Sequence, residues 1–181
     1  TSEDPLSAAR TGLLETPHGT VETPAFMPVG SQGTVKGLTH AQVEALGAQI
    51  MLVNSYHLFL RPGVDAVAAM GGLHAFMSWP KPILTDSGGF QIYSLSPLVR
   101  TSDEGVRFAS HLDGSKIFLK PEDVVDLQVR MGTDVLMCLD HFPAYPYSEE
   151  TMKESVRLTT AWAGRSRTSW RAATSAAAPP S

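Results

Sequence analysis

The sequence predicts an α/β protein of barrel-like character, and three observations lead to that prediction. Short continuous apolar runs at Gln49–Asn54 and Asp134–Asp140, with a third ending at Leu84, have the pattern of strands buried on both faces. Segments with the helical spacing of apolar residues lie between these runs. The connections are long enough for the strands to pair in parallel. Periodicity alone leaves two arrangements open, namely half of a barrel and a small open sheet.

The first part of the chain is predicted to form a β-hairpin. Gly12–Glu15 and Gly19–Glu22 have strand character, and Pro17-His18-Gly19 supplies the turn between them. Ala25–Val29 then continues as a buried strand or as the approach to one.

Two helices are predicted on either side of the first apolar run. Thr39 followed by Gln42 has the form of a capping box, and the helix that it opens is expected to end near Gly47. A second helix is expected over about 62–70, because proline is favoured in a first turn and a glycine pair follows.

The middle of the chain is predicted to contain a pair of hairpins and then a helix. Glu104-Gly105 and Asp113-Gly114 are turn signals between alternating segments. The helix is expected to begin at Pro121 and to stop at Gly132. One face of this helix carries Val124, Leu127, Gln128 and Met131.

The end of the chain changes character. Ser148 is expected to cap a helix that runs to Trp162. From Gly164 to Ser181 the chain has no acidic residue and no apolar period, which predicts a disordered tail. An RNA-binding arm is the alternative for this tail.

Composition places the chain among ordinary globular proteins. Its 181 residues suffice for one sizeable core, and 43% are hydrophobic while 18% are charged. The net charge of -4 does not indicate nucleic-acid binding, although a local basic face stays open. A single cysteine, Cys138, excludes an internal disulfide and a multi-cysteine zinc site. No apolar run is long enough to span a membrane and no signal peptide is recognisable, so we expect a cytoplasmic protein without a membrane partner.

Two carboxylates occupy equivalent places in the predicted sheet. Asp86 and Asp140 each follow a buried apolar strand, and in parallel α/β folds the carboxyl ends of strands converge on one crevice. Either residue could instead cap a following turn or helix.

The segment after Asp86 favours a functional interpretation. Ser87, Gly88 and Gly89 can turn sharply and present backbone N–H groups to a flat ligand, and Phe90 can supply an apolar wall. A phosphate loop is disfavoured because GxxxxGK[ST] is absent and a carboxylate would repel phosphate. The GxSxG elbow of a serine hydrolase is absent as well. The carboxylate indicates a ligand with N–H donors, such as the edge of a nucleobase.

Other polar residues are weaker candidates. Asn54–His57 also follows a buried strand and could line the same rim, although His57 could equally be structural. The remaining histidines show no metal-ligand spacing, so no metal site is predicted. Cys138 lies within a predicted strand, where a lone cysteine usually behaves as a small apolar residue.

Several segments of the chain resemble tRNA-guanine transglycosylases, also called queuine tRNA-ribosyltransferases. They are GTVETPAFMPVGSQGTVKGLT (19–39), NSYHLFLRPG (54–63), LHAFMSWPKPILTDSGGFQIYSL (73–95), GVRFASHLDGSK (105–116) and PEDVVDLQVRMGTDVLMCLD (121–140). The resemblance implies the N-terminal half of an irregular TIM (β/α)8 barrel with an N-terminal β-hairpin region. On this basis residues 1–9 are an extension, 10–163 a partial barrel domain and 164–181 a tail outside the family.

The resemblance also implies a reaction and a set of partners. Enzymes of this family exchange the guanine at the wobble position of certain tRNAs for a 7-deazaguanine, in queuosine biosynthesis. Asp86 is then the catalytic proton acceptor, and Asp86, Ser87, Gly88, Gly89 and Phe90 form the base-binding loop. Asp140 matches the aspartate that bonds the purine edge. The implied partners are tRNA and the guanine or 7-deazaguanine base.

The chain departs from the family pattern in two respects. It has Asp140-His141-Phe142 where bacterial members usually have Asp-Glu-Cys, which leaves the incoming base undetermined. The second half of the family is also missing from this sequence, and the tail resembles an out-of-frame ending. That half carries a Gln-Gly-Gly loop, the aspartate that attacks the ribose, and the Cys3His ligands of a zinc ion.

These departures lead to further expectations. We expect this chain to be inactive by itself, and full-length members to be homodimers or heterodimers. A catalytically inactive purine-base-binding module, or a non-catalytic partner subunit, is the alternative function.

Overall fold

A computed structural model describes residues 1–96 and 98–177 of the chain. The strands are β1 (Ser2–Glu3), β2 (Arg10–Thr16), β3 (Gly19–Thr23), β4 (Val29–Gly30), β5 (Met51–Val53), β6 (Ile83–Thr85), β7 (Arg100–Ser102), β8 (Gly105–Ala109), β9 (Lys116–Leu119) and β10 (Val135–Leu136). The helices are α1 (His40–Ala45), α2 (Ser55–Leu60), α3 (Val64–Ala69), α4 (Gly72–Met77), α5 (Gly89–Leu95), α6 (Pro121–Met131) and α7 (Glu149–Ala177).

A parallel sheet of four strands forms the centre of the molecule, in the order β10-β6-β5-β4. Its strands are short and apolar, and helices pack against them. Of the buried strand predicted over 134–140, only Val135 and Leu136 pair in the sheet, and both are half-buried. Two antiparallel three-stranded sheets, β1-β2-β3 and β7-β8-β9, stand beside it. The prediction of an α/β protein with parallel strands is therefore confirmed. The four parallel strands do not close into a barrel within the described residues.

The turn and cap signals of the sequence are confirmed in most places. β2 and β3 pair with Leu14 opposite Val21, as the predicted hairpin requires. Thr39 and Gln42 form the reciprocal capping box at the start of α1. Gly132 ends α6 in the left-handed conformation that glycine adopts readily.

Three helices, α2, α4 and α5, were not predicted, and a fourth, α3, differs from its prediction. α2 follows β5 directly, where we expected only a rim segment, and α5 begins inside the glycine pair, where we expected a turn leading to hairpins. The helix expected over 62–70 is present as α3, which begins at Val64 and is followed at once by α4. All of these helices are short, and short helices are held by packing more than by sequence pattern.

The predicted disordered tail is wrong for residues 164–177, which continue helix α7. Trp162 is fully buried, and its indole Nε1 donates to the Asp103 carbonyl over 2.9 Å. Arg165 bonds both carboxylate oxygens of Glu122 at 2.7 Å and also reaches the Asp103 carbonyl. These contacts fasten α7 to α6 and to the β7–β8 turn. Residues 178–181 lie outside the described part.

Gln128 ties α6 to the ends of two parallel strands and is completely buried. Its Oε1 accepts from Thr85 Oγ1 at 2.8 Å and from Met137 N at 3.1 Å. Its Nε2 donates to the carbonyls of Val124, at 2.8 Å, and Met137, at 2.9 Å. A buried amide with both atoms satisfied fixes the geometry around it, because any displacement would leave a polar group without a partner.

Candidate active site

Asp86 follows β6 directly and is held by three hydrogen-bond donors. Its Oδ1 accepts from the Ser55 backbone N–H at 2.9 Å. Its Oδ2 accepts from Asn54 Nδ2 at 2.5 Å and from Gln91 Nε2 at 3.0 Å. The backbone N–H of Asp86 donates to Val53 O at 3.1 Å, which extends the β5–β6 ladder. The carboxylate is thus oriented by two residues that follow the adjacent strand β5 and by the first part of α5.

Ser87 connects Asp140 to this arrangement. Its hydroxyl donates to Asp140 Oδ1 at 2.8 Å and accepts from the Gly89 backbone N–H at 3.1 Å. The structure therefore brings Asp140 to the residues that follow Asp86, as expected for carboxylates after neighbouring strands. Asp86 and Asp140 are both partly buried, so each retains access to solvent.

The two glycines serve a purpose that we did not predict. Gly88 has φ of 78° and is packed so closely that a Cβ would lie 3.0 Å from Tyr56 Cβ. A Cβ on Gly89 would lie 2.2 Å from Asp140 Oδ1. Both glycines are buried, and both allow parts of this chain to approach each other. The absence of side chains at residues 88 and 89 therefore lets Tyr56 and Asp140 lie directly against this backbone.

Two phenylalanines stand at the outer side of this site. Phe90 is 54% exposed and Phe142 is 43% exposed, and their rings meet edge to face with centroids 5.2 Å apart. An exposed aromatic pair beside hydrogen-bonding carboxylates can cover one side of a planar ligand.

A histidine and tyrosine cluster adjoins Asp86. Tyr56 OH lies 2.9 Å from His111 Nδ1, and the His57 and His111 rings meet edge to face at 5.9 Å. Burial lowers the pKa of His57, with a further lowering from His111, which outweighs the opposing effect of Asp86. Burial also lowers the pKa of His141, whose Nδ1 is buried without a partner among the described residues. His111 was not singled out by the sequence, because its contacts are with residues far away in the chain.

Gln91 is the residue of this site that sequence reasoning missed. It belongs to the quoted TDSGGFQ motif, which was the available signal. Its Nε2 holds Asp86, and its Oε1 is buried with no hydrogen-bond partner in the described structure. That oxygen can accept from a ligand N–H.

At the opposite end of the sheet, His18 and His74 share the carboxylate of Asp134. His18 Nδ1 lies 2.7 Å from Oδ1 and His74 Nε2 lies 3.0 Å from Oδ2. The two rings are stacked with centroids 3.5 Å apart and planes at 14°. One ligand atom from each of His18, His74 and Asp134 lies within 4.8 Å of the others, a spacing that could also hold a metal ion. This is a hydrogen-bonded cluster that joins the N-terminal hairpin to the sheet.

The residues of this chain do not fit the zinc site that the resemblance implies. A Cys3His site needs three cysteines, and the chain has only Cys138. Burial raises the pKa of the Cys138 thiol, which disfavours the thiolate that binds zinc.

The fold and the site together define an α/β protein with two linked carboxylates at the carboxyl ends of adjacent parallel strands. A family model described as queuine tRNA-ribosyltransferase matches residues 4–180. The chain therefore belongs to the queuine tRNA-ribosyltransferase family, whose members are pentosyltransferases. The match continues beyond residue 163, where we expected the resemblance to end.

Individual relatives agree with the family assignment. The queuine tRNA-ribosyltransferase of Desulforudis audaxviator is 54% identical over 168 residues, which are 93% of this chain and 45% of that protein. The one of Desulfosudis oleivorans is 52% identical over 171 residues, 94% of this chain and 44% of that protein. The chain thus spans less than half the length of these relatives. Every helix within residues 1–96 and 98–177 is too short or too polar to cross a membrane.

Proposed function

We propose that this chain provides the base-binding and proton-accepting part of a tRNA-guanine transglycosylase site. In this reaction the guanine at the wobble position of tRNA leaves its ribose and a 7-deazaguanine takes its place. Family membership supports the reaction class. The observation that carries the proposal is the Ser87 hydrogen bond to Asp140, because it joins two carboxylates that follow different strands.

Asp86 is proposed as the proton acceptor. The incoming base must lose a ring N–H proton at the nitrogen that bonds the ribose, and the departing guanine must gain one. A single carboxylate can accept the first proton and donate the second, so the exchange is balanced. Three donors hold Asp86 in place, and they satisfy part of the roughly four lone-pair positions of a carboxylate.

Asp140 and Gln91 are proposed to recognise the base. Ser87 bonds one oxygen of Asp140, which leaves the other oxygen available for a purine N–H. Gln91 Oε1 is a second acceptor, buried and without a partner in the described residues. A base with donors in the right places satisfies both, whereas a base without them leaves buried acceptors unpaired. Phe90 and Phe142 would cover the base from the solvent side.

Attack on the ribose requires a further carboxylate. Asp86 is proposed to transfer the proton and Asp140 to bind the base, so neither is available to attack the ribose. They are the only carboxylates that follow strands of the described parallel sheet. We propose that the nucleophile comes from the part of the family that lies outside this sequence, and that the parallel sheet described here is half of a barrel. The alternative is a purine-base-binding module without catalysis. It would use the same residues to bind the base and would have no ribose nucleophile.

Equilibrium dialysis with radiolabelled guanine tests base binding, and label incorporation into tRNA tests catalysis. We expect the chain to bind guanine and to incorporate none. Asp140→Ala is expected to weaken binding by roughly 1–3 kcal/mol. Asp113→Ala is the matched control, since Asp113 is exposed in the β8–β9 connection. Absence of guanine binding, or equal binding by Asp140→Ala, would contradict the proposal.

A further inference from the structure

The antiparallel sheet β7-β8-β9 has an outer face with three basic side chains. Arg100 and Arg107 are directly opposite each other in the ladder, so both project from the same face. Phe118 is opposite Arg107 on the other side, and Lys116 lies two residues before it on that face. We call Arg100, Arg107 and Lys116 the basic strip. All three side chains belong to exposed residues.

The inner face of the same sheet explains this orientation. Val106, Phe108 and Leu119 are buried in a cluster with Tyr56 and Trp162. Alternation along each strand therefore fixes the basic strip on the solvent side.

The basic strip is unfavourable for stability in the absence of a partner. Like charges directly opposite each other in an antiparallel pair repel, as Arg100 and Arg107 do. In the described part of the chain, no carboxylate forms an ion pair with any of the three residues, while Arg130, Arg157 and Arg165 all have such partners. The guanidinium carbon of Arg107 also lies over the Phe118 ring, 4.3 Å from its centroid, in a cation–π contact on the same face.

We infer that the basic strip contacts the phosphate backbone of an RNA substrate, an inference that rests on the function proposed above. Guanidinium groups bind phosphate oxygens through paired N–H donors, and the partner supplies the negative charge that this face lacks. The overall charge of -4 does not oppose this inference, because recognition depends on the local distribution of charge.

The position of the basic strip favours a substrate that continues to the candidate active site. The β8–β9 connection, which begins next to Ala109 and ends at Lys116, carries His111. His111 contacts Tyr56 of α2, and the N–H of Ser55 in the same helix holds Asp86. An RNA bound at the basic strip would therefore be separated from Asp86, the proposed proton acceptor, by the β8–β9 connection and helix α2.

Fluorescence anisotropy with a labelled anticodon stem-loop RNA tests the inference on the whole chain. The test variant carries Arg100→Gln, Arg107→Gln and Lys116→Gln. The control variant carries Arg10→Gln, Lys153→Gln and Arg171→Gln, which removes the same charge from other exposed positions. Between about 50 and 200 mM salt, we expect the test variant to lose about two to three units of the slope of log K against log salt, and at least about tenfold in affinity. The control variant should retain nearly the wild-type slope.

Three outcomes would overturn the inference. They are absence of RNA binding by the wild-type chain, equal loss in the test and control variants, and displacement of the RNA by polyglutamate as readily as by unlabelled RNA. Guanine binding in the same preparations separates this inference from the proposed function. Normal guanine binding, together with an unaltered salt slope of RNA binding in the test variant, would refute the role of the basic strip and leave the proposed function standing. RNA binding through the strip without guanine binding would refute the proposed function alone.

Discussion

Gly89 lies directly against the carboxylate of Asp140, so closely that any side chain at residue 89 would occupy the position of Oδ1. Gly89 is also the first residue of α5, and its backbone N–H bonds the same Ser87 hydroxyl that holds Asp140. The loop after β6 and the carboxylate after β10 are thus in mutual contact before any ligand binds.

Gly89→Ala should displace Asp140 and weaken guanine binding. A Cβ would come within 2.2 Å of Oδ1 and 3.0 Å of the Asp140 carbonyl, so either the carboxylate or α5 must move. We expect a loss of stability of about 1–3 kcal/mol from overpacking, together with a loss of guanine affinity. Thermal unfolding and equilibrium dialysis measure the two effects.

Gly164→Ala is the matched control for this substitution. Gly164 is in helix α7, and a Cβ there would have no atom within 4 Å. Alanine is favoured over glycine inside a helix by about 0.5–1 kcal/mol, so this variant should be slightly more stable and should bind guanine normally. Equal guanine affinity in the two variants would show that Asp140 does not contact the base.

Two tryptophans of α7 should differ greatly in their contribution to stability. Trp162 is fully buried against the β7–β8 turn, whereas Trp170 is 44% exposed. We expect Trp162→Ala to lower the free energy of unfolding by about 3–5 kcal/mol. Trp170→Ala should cost clearly less, as measured by urea denaturation. Similar values for both would mean that α7 is not fastened to the sheet as described.

The sequence predicted the elements whose signals are local, and it missed those that depend on distant residues. The hairpin at β2 and β3, the capping box of α1 and the end of α6 at Gly132 each depend on neighbouring residues, and all are present. Asp86 and Asp140 were singled out because each follows a recognisable apolar run, and the structure links the two through Ser87.

The misses have a common physical cause. The tail was expected to be disordered from its composition, but its helix is held by contacts of Trp162 and Arg165 with residues about 40 to 60 positions away. The His18–Asp134 contact spans 116 residues and has no local signal. The contacts of Gly88 with Tyr56 and of Gly89 with Asp140 likewise join residues far apart in the sequence, and no local signal indicated them.

Stability should fall as the pH falls below about 6.5. Burial lowers the pKa of His57, His74 and His141 in the folded state, so the unfolded chain binds protons at a higher pH than the folded chain does. Proton uptake by the unfolded state then favours unfolding from the unfolded-state pKa downward to the lowered folded-state values. Urea denaturation at a series of pH values between about 8 and 5 measures this slope.

His141→Phe separates one contribution from the others. The ring packs edge to face on Tyr93 at 5.3 Å, so phenylalanine keeps the contact and removes the titrating group. The Nδ1 that has no partner in the described structure is removed as well, so stability at pH 8 should be equal or higher. The pH slope should become shallower than in the wild-type protein. An unchanged slope would show that His141 is not buried as described.

The chain should self-associate as its concentration rises. Within the described residues β4 pairs only with β5 and β10 only with β6, so the parallel sheet has two open edges. Beside β4, Phe26 and Leu46 are 84% and 77% exposed on a cleft of about 530 Å³. Exposed apolar surface of this kind drives association.

Size-exclusion chromatography with light scattering should show masses above the monomer value of 19.4 kDa. Phe26→Lys with Leu46→Lys should lower the association. Leu6→Lys is the control, because Leu6 is 94% exposed in the N-terminal segment, away from that cleft. A monomeric wild-type chain at every concentration would contradict this prediction.

The buried amide of Gln128 has a consequence for how this architecture can be altered. One side chain on α6 bonds the residue before Asp86 and the residue three positions before Asp140. The scaffold beneath the two carboxylates therefore sets the backbone positions from which they project, and the contacts of Ser87 and Gln91 then orient their side chains. A designer could exchange the 141–147 segment to change which base is admitted. The spacing between the backbones of Asp86 and Asp140 would be retained.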